Sequence, residues 1–520
     1  MEKYRKKDML QTVDTLLNAN DAIVRAVRSN TQGAAEALVQ CQESAITLGN
    51  CLETFGETYA RLVQILEEYC ENIYQMSEKL SDENACRKLS KKIQKQLAAL
   101  RNGIIYDMPE DKKEIVFLPY KASMWDSLES VWRAADADPN CSAYVIPIPY
   151  FDKNPDGSFR EEHYEGDLYP KDVPITRYDE YDLEAQHPDV IYIHNPYDEC
   201  NHVTSVHPFF YSKNLRNYTD KLVYIPYFVL NEIEPNNQVI IDGMKHFCFT
   251  PGTVYADQVI VQSENMRQIY INEYMKAIGQ PDDRQLRQEL EKRFLGLGSP
   301  KFDKIQSVNI ENISEMWKSK IYKEDGNKKK IIFFNTNVSL ILHNADKFID
   351  NLKRIFIEIE KYSNDYSVIW REHPLSMATI KSMRPQLINE YRRIVEEMRL
   401  KKWVIIDDSV EAYMAIGISD CYFGAGGSLV ALYSVLGKPM MITDYYYPNK
   451  ISDKEISLED LIRSMGPRAY MNERNKNSLN LFLEKMNELE KMQMRRLEKE
   501  KNRPVKDAGQ KILDYAINIW

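Results

Sequence analysis

Apolar residues in the first hundred positions recur with the spacing of an α-helix. From Ala45 to Leu80 they fall three and four positions apart without interruption, which places them in one stripe on one face of a helix. A shorter stripe begins at Leu89 and Ile93, after a polar turn at 81–84. We predict a long coiled-coil helix and a shorter amphipathic helix, folded as a hairpin or small bundle that pairs within the chain or with a second copy.

The pattern changes near residue 110 to short β-branched or aromatic runs that alternate with helical stretches. This alternation is typical of parallel sheets built from strand–helix–strand units. The predicted strands are 114–120, 143–147, 190–194, 222–227, 258–261 and 294–297 in the first half, and 330–335, 366–370, 403–406, 420–423 and 440–443 in the second. The stretch at 151–174, which is rich in Asp, Gly, Pro and Tyr, is predicted to be an inserted loop.

A polar, lysine-rich segment at 318–330 separates the two strand-rich halves. We therefore predict an α/β fold with two Rossmann-like domains that follow the helical region. The predicted divisions are a helical oligomerisation domain at 1–105, Rossmann-like domains at 110–317 and 330–475, and C-terminal helices at 476–520. Because open parallel sheets bind ligands beyond the carboxyl ends of their strands, we expect the functional residues in the loops there and in the cleft between the domains.

Composition limits the class of protein and the cellular compartment that we expect. The 520 residues are 43% hydrophobic and 28% charged, and 68 basic against 78 acidic side chains give a net charge of -10, which argues against a general nucleic-acid binder. The apolar runs are far shorter than the about 20 residues that span a bilayer. The eight cysteines include no Cys-x-x-Cys pair, as is usual for free thiols in a reducing compartment. We expect a cytosolic protein.

A turn of small residues follows the predicted strand at 420–423. Its members are Gly424, Gly426, Gly427 and Ser428. Glycines let the backbone approach a ligand closely, and a helix that begins at the serine offers free N–H groups to a phosphate. Glycines at such a turn also occur for tight packing alone. We favour anion binding, because Gly-Lys-Pro at 437–439 follows one helix later and Asp444 ends the next strand.

A second polar loop, Trp-Arg-Glu-His-Pro at 370–374, stands where another strand ends. Arg371 can hold phosphate oxygens bidentately, and His373 can donate a hydrogen bond or a charge to a leaving diphosphate, although a histidine before proline also serves as a simple turn residue. Asn335 and Thr336 end a third strand at the same edge of the sheet. Three polar strand ends together predict a nucleotide-diphosphate pocket.

In the first half, the segment 190–207 contains three of the eight histidines. His194 stands at a predicted strand end facing the cleft, where an imidazole with a pKa of about 7 can take a proton from an acceptor hydroxyl. We predict it to be the general base; the alternative is a histidine hydrogen-bonded within a polar loop. A metal site is a further alternative, whose irregular ligand spacing fits no common site: His194, Asp198, Cys200, His202 and His207. No metal or other cofactor is expected.

Several of these motifs occur in an order that resembles the CDP-glycerol glycerophosphotransferases of teichoic acid synthesis. They are the strand that ends at His194, the helix opening at 261–264, and the segments 296–303, 371–374 and 419–439. The resemblance covers residues 110–450. It implies the two-domain GT-B architecture, with the acceptor bound by 110–317 and the nucleotide donor by 330–475.

The resemblance also implies an activity and roles for single residues. Such enzymes move a polyol phosphate from a CDP-activated donor to a hydroxyl of a cell-surface glycan or a polyol-phosphate chain. His194 then matches the catalytic histidine of the first domain, and His373 the histidine that contacts the donor phosphate. Gly427 and Ser428 fall on the loop that grips the donor's phosphates. The acceptor of such a reaction would bring the protein to the inner face of the cell membrane.

Two positions depart from that family. Ile193-His-Asn195 stands where the family usually has Trp-His-Gly, and Gly426-Gly-Ser-Leu stands where it has paired serines before an aspartate. The second departure resembles nucleotide-sugar enzymes of the same architecture, so a glycosyltransferase that expels a nucleoside diphosphate is the first alternative. The second is a non-catalytic nucleotide-binding scaffold that forms a homodimer through the coiled coil.

Overall fold

The computed structural model describes residues 3–108, 112–343, 345–443, 452–464, 470–499 and 506–518. Within these ranges the chain forms a helical bundle, two parallel sheets of six strands each, and a small antiparallel sheet of three strands. Among the described residues, every helix is too short or too polar to cross a membrane.

Within residues 3–108 the main helices are α1 (Lys3–Ala26), α2 (Thr31–Glu53), α3 (Ala60–Ser77) and α4 (Glu83–Tyr106). Each helix contacts the next along the chain, and α1 also contacts α4. Short loops make such neighbours antiparallel, so the four helices close into a bundle around one apolar core, to which Leu38, Leu66 and Leu97 belong.

The single long helix predicted over 45–80 is wrong. The chain leaves α2 at Thr54, Gly56 adopts a φ of 94°, and a short 3₁₀ turn at Glu57–Tyr59 leads into α3. The predicted small bundle is present and pairs within the chain, whereas a coiled coil is not confirmed. The turn predicted at 81–84 ends at Asp82, because α4 begins at Glu83; the Asp82 carboxylate accepts hydrogen bonds from the amides of Asn84 and Ala85.

The first α/β lobe consists of β1–β9 and α5–α11. Its strands are β1 (Lys113–Leu118), β2 (Cys141–Val145), β3 (Tyr150–Lys153), β4 (Phe159–His163), β5 (Val190–Ile193), β6 (Thr204–Val206), β7 (Lys221–Tyr224), β8 (Gln258–Ile260) and β9 (Phe294–Leu295). Its helices are α5 (Glu129–Ala137), α6 (Leu183–Gln186), α7 (Ser212–Leu215), α8 (Gln238–Met244), α9 (Pro251–Tyr255), α10 (Glu264–Ile278) and α11 (Arg284–Arg293).

The larger sheet of the first lobe is parallel throughout, with the strand order β2-β1-β5-β7-β8-β9. The order reverses between β1 and β5, so the carboxyl ends of these strands, Leu118 and Ile193, lie side by side. The region 151–174, predicted to be a loop, contains the β3–β4 hairpin of the antiparallel sheet. The prediction missed β4 because its side chains are nearly all exposed and form no apolar run.

The second α/β lobe consists of β10–β15 and α14–α22. Its strands are β10 (Lys330–Thr336), β11 (Tyr366–Glu372), β12 (Val404–Ile406), β13 (Cys421–Ala425), β14 (Met440–Thr443) and β15 (Tyr470–Glu473). Its helices are α14 (Val338–His343), α15 (Ala345–Glu360), α16 (Ser376–Met383), α17 (Ile388–Leu400), α18 (Tyr413–Ile418), α19 (Ser428–Ser434), α20 (Leu458–Arg463), α21 (Ser478–Glu484) and α22 (Met486–Lys499).

The sheet of the second lobe is also parallel, with the strand order β12-β11-β10-β13-β14-β15. This is the order of dinucleotide-binding sheets, in which the ligand lies where the order reverses. Here the reversal falls between β10 and β13, so the turns after these two strands are neighbours. Each strand predicted in this half coincides with an observed strand, and β15 was not predicted.

The two lobes are joined by α12 (Pro300–Gln306), α13 (Glu315–Ile321) and the final helix α23 (Ala508–Asn518). Phe302 and Ile305 of α12 belong to an apolar core of the second sheet. The final helix returns to the first lobe and packs on α5, where the amides of Ala508 and Gly509 donate to the Asp303 carboxylate at 2.9 and 2.8 Å. The exact domain boundaries stay a prediction.

Candidate functional site

His194 follows β5 and is fully buried. The backbone amide of Tyr120 donates to its Nε2 at 3.1 Å, and the Ser127 hydroxyl lies 2.9 Å from its Nδ1. Because a backbone amide can only donate, Nε2 is the acceptor and Nδ1 carries the proton. Nδ1 then donates to the Ser127 hydroxyl, which in turn donates to the carbonyl of Met124. Burial, with a smaller effect of the Lys301 charge, lowers the pKa of His194 to about 3. The ring is therefore neutral at pH 7.

This geometry does not support the prediction that His194 is the general base. Its one basic nitrogen already accepts the Tyr120 amide, and burial disfavours the protonated ring. In this arrangement His194 joins the loops that leave β1 and β5. The sequence placed the residue correctly at a strand end, but the amide that occupies its nitrogen lies 74 positions away along the chain and gives no local signal.

The alternative metal set of the segment 194–207 is not assembled. Asp198 is buried, and its carboxylate accepts hydrogen bonds from the amide and hydroxyl of Ser212 at 2.8 and 2.5 Å. Burial raises the pKa of Asp198 to about 6. The one group among the described residues that could supply three metal ligands is elsewhere, namely Asp152, Glu161 and His163. The guanidinium of Arg160 donates a hydrogen bond to the Asp152 carboxylate at 2.7 Å. This cation would compete with a metal ion for the carboxylate.

Three tyrosines surround the strand reversal of the first sheet, and the sequence reasoning missed them. Tyr120 follows β1, Tyr197 follows β5 and Tyr227 follows β7, and the last two share a side-chain hydrogen bond. The rings of Tyr120 and Tyr227 both meet His194 edge-on, with centroids 5.3 and 6.2 Å away. Burial raises the pKa of the Tyr227 hydroxyl, so it keeps its proton and can donate. The signal in the sequence was an aromatic residue soon after each of three strands.

The strand reversal of the second sheet brings Gly424 beside Asn335. A Cβ on Gly424 would lie 2.2 Å from the carbonyl oxygen of Asn335, and its φ is 142°, so only glycine allows these strands to approach. At Gly427, with a φ of 158°, a Cβ would meet no atom of the described residues within 4 Å. Gly427 and Ser428 are exposed. The described part of the chain therefore leaves space open at the start of α19, where backbone N–H groups are free of helix partners.

Asn335 and Thr336, predicted to bind the donor, are buried. The amide of Asn335 donates to the Tyr422 hydroxyl at 3.2 Å, and the hydroxyl of Thr336 accepts from the Trp370 indole at 3.2 Å. Both side chains are thus used inside the protein, and the structure does not support their contact with a ligand.

The next residue, Asn337, joins the two turns at the reversal. Its side-chain amide donates to the carbonyl of Gly426 at 3.2 Å, while its side-chain oxygen accepts from the amide of Leu340 at 3.1 Å. Asn337 therefore fixes the glycine turn against the end of β10.

Arg371 is buried, and its side chain is hydrogen-bonded within the protein. Its Nη1 contacts the carboxylate of Asp407 at 2.6 Å and the hydroxyl of Ser409 at 3.2 Å, and its Nη2 donates to the carbonyl of Val410 at 3.1 Å. The guanidinium ties the end of β11 to the loop after β12. The predicted bidentate grip on a phosphate is not supported, because both terminal nitrogens have protein partners.

His373 is exposed at the carboxyl end of β11. Its backbone amide donates to the carbonyl of Thr336 at 3.0 Å, and its Nδ1 accepts from the amide of Leu375 at 3.2 Å. In the neutral ring the proton is then on Nε2. His373 therefore offers a hydrogen-bond donor at the same edge of the sheet as the glycine turn. Asp444, also predicted to bind the donor, lies outside the described residues.

The carboxyl edges of the two sheets face each other. Asp126, in the turn after β1, accepts from Lys301 Nζ at 2.7 Å with each oxygen, and from the Tyr413 hydroxyl at the start of α18. Val229, after β7, shares an apolar cluster with Val430 of α19. Loops that leave the first sheet thus reach the edge of the second sheet that carries the glycine turn.

Two parallel α/β sheets whose carboxyl edges face each other are consistent with a two-domain GT-B fold. No family model matches the chain, and no curated protein matches it. Solved structures similar to it include the wall teichoic acid polymerase TagF, with 13% identity over 88% of this chain and 98% of that one, at a TM-score of 0.43. A UDP-GlcNAc 2-epimerase from Neisseria meningitidis bound to UDP-GlcNAc has 11% identity over 78% of this chain and 100% of that one, at a TM-score of 0.44. Similarities at this level assign neither a family nor an activity.

Proposed function

We propose that the chain is a nucleotide-dependent transferase whose second lobe holds the diphosphate of an activated donor. The observation that carries the proposal is the space that the described residues leave open in front of Gly427, where the strand order of the second sheet reverses. A diphosphate there would meet free backbone N–H groups and the positive end of α19. His373 would add a hydrogen bond from Nε2.

The first lobe, in this proposal, presents the acceptor hydroxyl. Tyr197 and Tyr227 are half-buried beside the strand reversal of the first sheet, and their hydroxyls can orient an acceptor oxygen. Aromatic rings also suit the apolar faces of a glycan. His194 holds the loops that carry these tyrosines through its hydrogen bonds and does not itself react. The acceptor is a glycan or polyol-phosphate chain, which would bring a cytosolic protein to the inner face of the membrane.

The reaction we propose is the transfer of a polyol phosphate from a CDP-polyol. The acceptor oxygen forms a bond to the phosphorus that bears the polyol, the bond from that phosphorus to the bridging oxygen breaks, and CMP leaves. The acceptor proton passes to water, since phosphoryl transfer through a loose transition state needs positioning and charge stabilisation more than a strong base. The α19 amides and His373 would stabilise the charge that develops on CMP.

The test is the identity of the released nucleotide. The protein is incubated with CDP-glycerol, CDP-ribitol or a UDP-sugar together with polyol-phosphate or glycan acceptors, and released CMP or UDP is measured. CMP from a CDP-polyol, reduced by His373→Gln but not by the exposed first-lobe control His246→Gln, is expected. UDP from a UDP-sugar would identify the glycosyltransferase alternative, and no release from any donor would contradict transfer altogether.

A second candidate is a nucleotide-binding protein without transferase activity. It is favoured by His194, which matches a catalytic position by resemblance, and by Arg371, which was predicted to hold phosphate, because both side chains are used within the fold. This candidate predicts that nucleotide diphosphates bind at the glycine turn while no product forms. Binding measured together with product release separates the two candidates.

A further inference from the structure

A groove runs along the outside of the helical bundle between α2 and α3, away from both parallel sheets. It has a volume of about 570 Å³, within the range of ligand-binding clefts. Its lining consists of Gln42, Ala45, Ile46, Gly49, Asn50, Glu53, Val63, Leu66, Glu67, Cys70, Glu71 and Tyr74. The α2 residues of this lining span about three helical turns, or about 16 Å at 1.5 Å per residue.

The floor of the groove is apolar, and its apolar walls are exposed. Ala45 and Leu66 are buried at the bottom. Ile46 is 51% exposed on α2, and Tyr74 is 56% exposed on the facing α3. Large apolar side chains on both sides of one cleft are typical of an interaction surface rather than of a solvated helix face.

A glycine in the middle of α2 keeps the groove deep. A Cβ on Gly49 would meet only the Cδ1 of Leu66, at an ordinary 3.9 Å, so packing inside the bundle does not require glycine. Glycine inside a helix costs about 1 kcal/mol relative to alanine. Together with Ala45, one turn earlier, Gly49 leaves room for another backbone to approach.

Every charged residue that lines the groove is acidic, namely Glu53, Glu67 and Glu71. Two copies joined through this groove would bring these carboxylates together, and such like-charge contact opposes association. The apolar stripe that suggested a homodimer is also buried inside the bundle. The charge therefore favours an occupant with basic residues on either side of an apolar ridge.

We propose that the groove between α2 and α3 binds an amphipathic helix of a partner protein, with apolar residues on one face and Lys or Arg along its flanks. The apolar face lies on Ala45, Gly49 and Leu66 between the walls formed by Ile46 and Tyr74. The basic flanks pair with the glutamates of the rim. This is the helix-in-groove mode of recognition, and it is independent of the transferase proposal.

The test uses the full chain and a labelled model peptide of about five helical turns, with leucines at helical spacing on one face and lysines elsewhere. A second peptide of identical composition has its leucines shuffled off a common face, and a third carries glutamate in place of lysine. Fluorescence anisotropy should show saturable binding of the first peptide and at least about tenfold weaker binding of the other two. Equal binding of the shuffled peptide would overturn the proposal, because it would show attraction by charge alone.

Variants locate the site. Gly49→Leu fills the groove, and the double change of Glu67→Lys with Glu71→Lys reverses its charge; each should weaken binding at least about tenfold. The matched control changes Glu43→Lys with Glu78→Lys, which are exposed and lie outside the groove, and should change binding by less than about twofold. If Gly49→Leu lowers the melting temperature, Ile46→Ser, which removes an apolar wall of the same groove, replaces it as the test. Equal loss in the control, or a dimer in sedimentation that the groove variants abolish, would overturn the proposal.

Discussion

The strand reversals of the two parallel sheets place polar residues in equivalent positions, but these residues are used differently. In the first lobe, the amide of Tyr120 and the hydroxyl of Ser127 occupy both nitrogens of His194, which is fully buried. In the second lobe, Gly427 and His373 are both exposed, and no other described residue lies within 4 Å of the position a Cβ on Gly427 would take. Topology therefore brings the loops after neighbouring strands together at each reversal, whereas local packing decides which groups remain available to a ligand.

The difference assigns separate roles to the two lobes. At the first reversal, both ring nitrogens of His194 are hydrogen-bonded within the protein, and tyrosines lie around the ring. At the reversal of the second sheet, the backbone N–H groups at the start of α19 and the imidazole of His373 are available to a ligand. The following predictions test that contrast, beginning with the largest expected effect.

Gly424→Val should disrupt the second sheet. Its Cβ would lie 2.2 Å from the carbonyl oxygen of Asn335, in a backbone conformation that valine avoids. We expect a loss of about 5 kcal/mol or more in the free energy of unfolding, measured by chemical denaturation. Gly243→Ala, where a Cβ meets nothing within 4 Å, is the control and should be nearly neutral. Equal stability of the two variants would show that the close approach of β10 and β13 is unimportant.

Asp126→Ala should weaken the junction of the lobes. Asp126 is buried and holds Lys301 with both oxygens, so its removal leaves an uncompensated, nearly buried ammonium. Breaking one partner of such a pair costs about 3–5 kcal/mol. Tyr413→Phe, which removes only one hydrogen bond to the same carboxylate, should cost about 1 kcal/mol. Denaturation curves in which the two variants coincide would contradict this account of the junction.

The fold was predictable from the sequence where strands are buried on both faces. Apolar runs located β10 and β13, whereas β4 has exposed side chains and was missed. The break between α2 and α3 was also missed, because the apolar spacing continues through the turn at 54–59. Spacing reports which side chains face a core and does not report whether the backbone between them stays helical.

The site was only partly predictable, for a related reason. Motifs located His194, Arg371 and His373 at strand ends, which follows from local sequence. Whether each side chain is free depends on partners from distant segments, such as Asp407, which lies 36 positions from its arginine. A single sequence carries no local signal for such pairs, so exposed and engaged strand-end residues look alike.

Asp198→Asn should change the pH dependence of stability. Its pKa is about 6 in the folded protein against an ordinary 3.8, so the folded state favours the protonated form. Wild type should therefore lose up to about 3 kcal/mol of unfolding free energy as the pH rises from about 4 to about 6. The variant should lack that fall, whereas the exposed control Asp167→Asn should retain it. An identical pH profile for Asp198→Asn and wild type would contradict the buried, protonatable carboxyl.

His194→Gln should cost about 2 kcal/mol in unfolding free energy at pH 7, because it disturbs two buried hydrogen bonds. The pKa of His194 is lowered to about 3, so the unfolded chain takes up a proton below its ordinary pKa while the folded chain does not. Wild type should consequently lose stability as the pH falls below about 6.5, a trend opposite to that of Asp198. The variant should lose less, and a steeper acid loss in the variant would contradict the buried neutral ring.

The most direct test is calorimetric titration of CDP-glycerol into His373→Gln and His194→Gln, with unfolding free energies measured on the same samples. The account predicts about tenfold weaker binding, or about 1.4 kcal/mol, with unchanged stability for His373→Gln. It predicts unchanged affinity with reduced stability for His194→Gln. Loss of affinity in the His194 variant together with full affinity in the His373 variant would contradict the assignment of donor binding to the open turn of the second lobe.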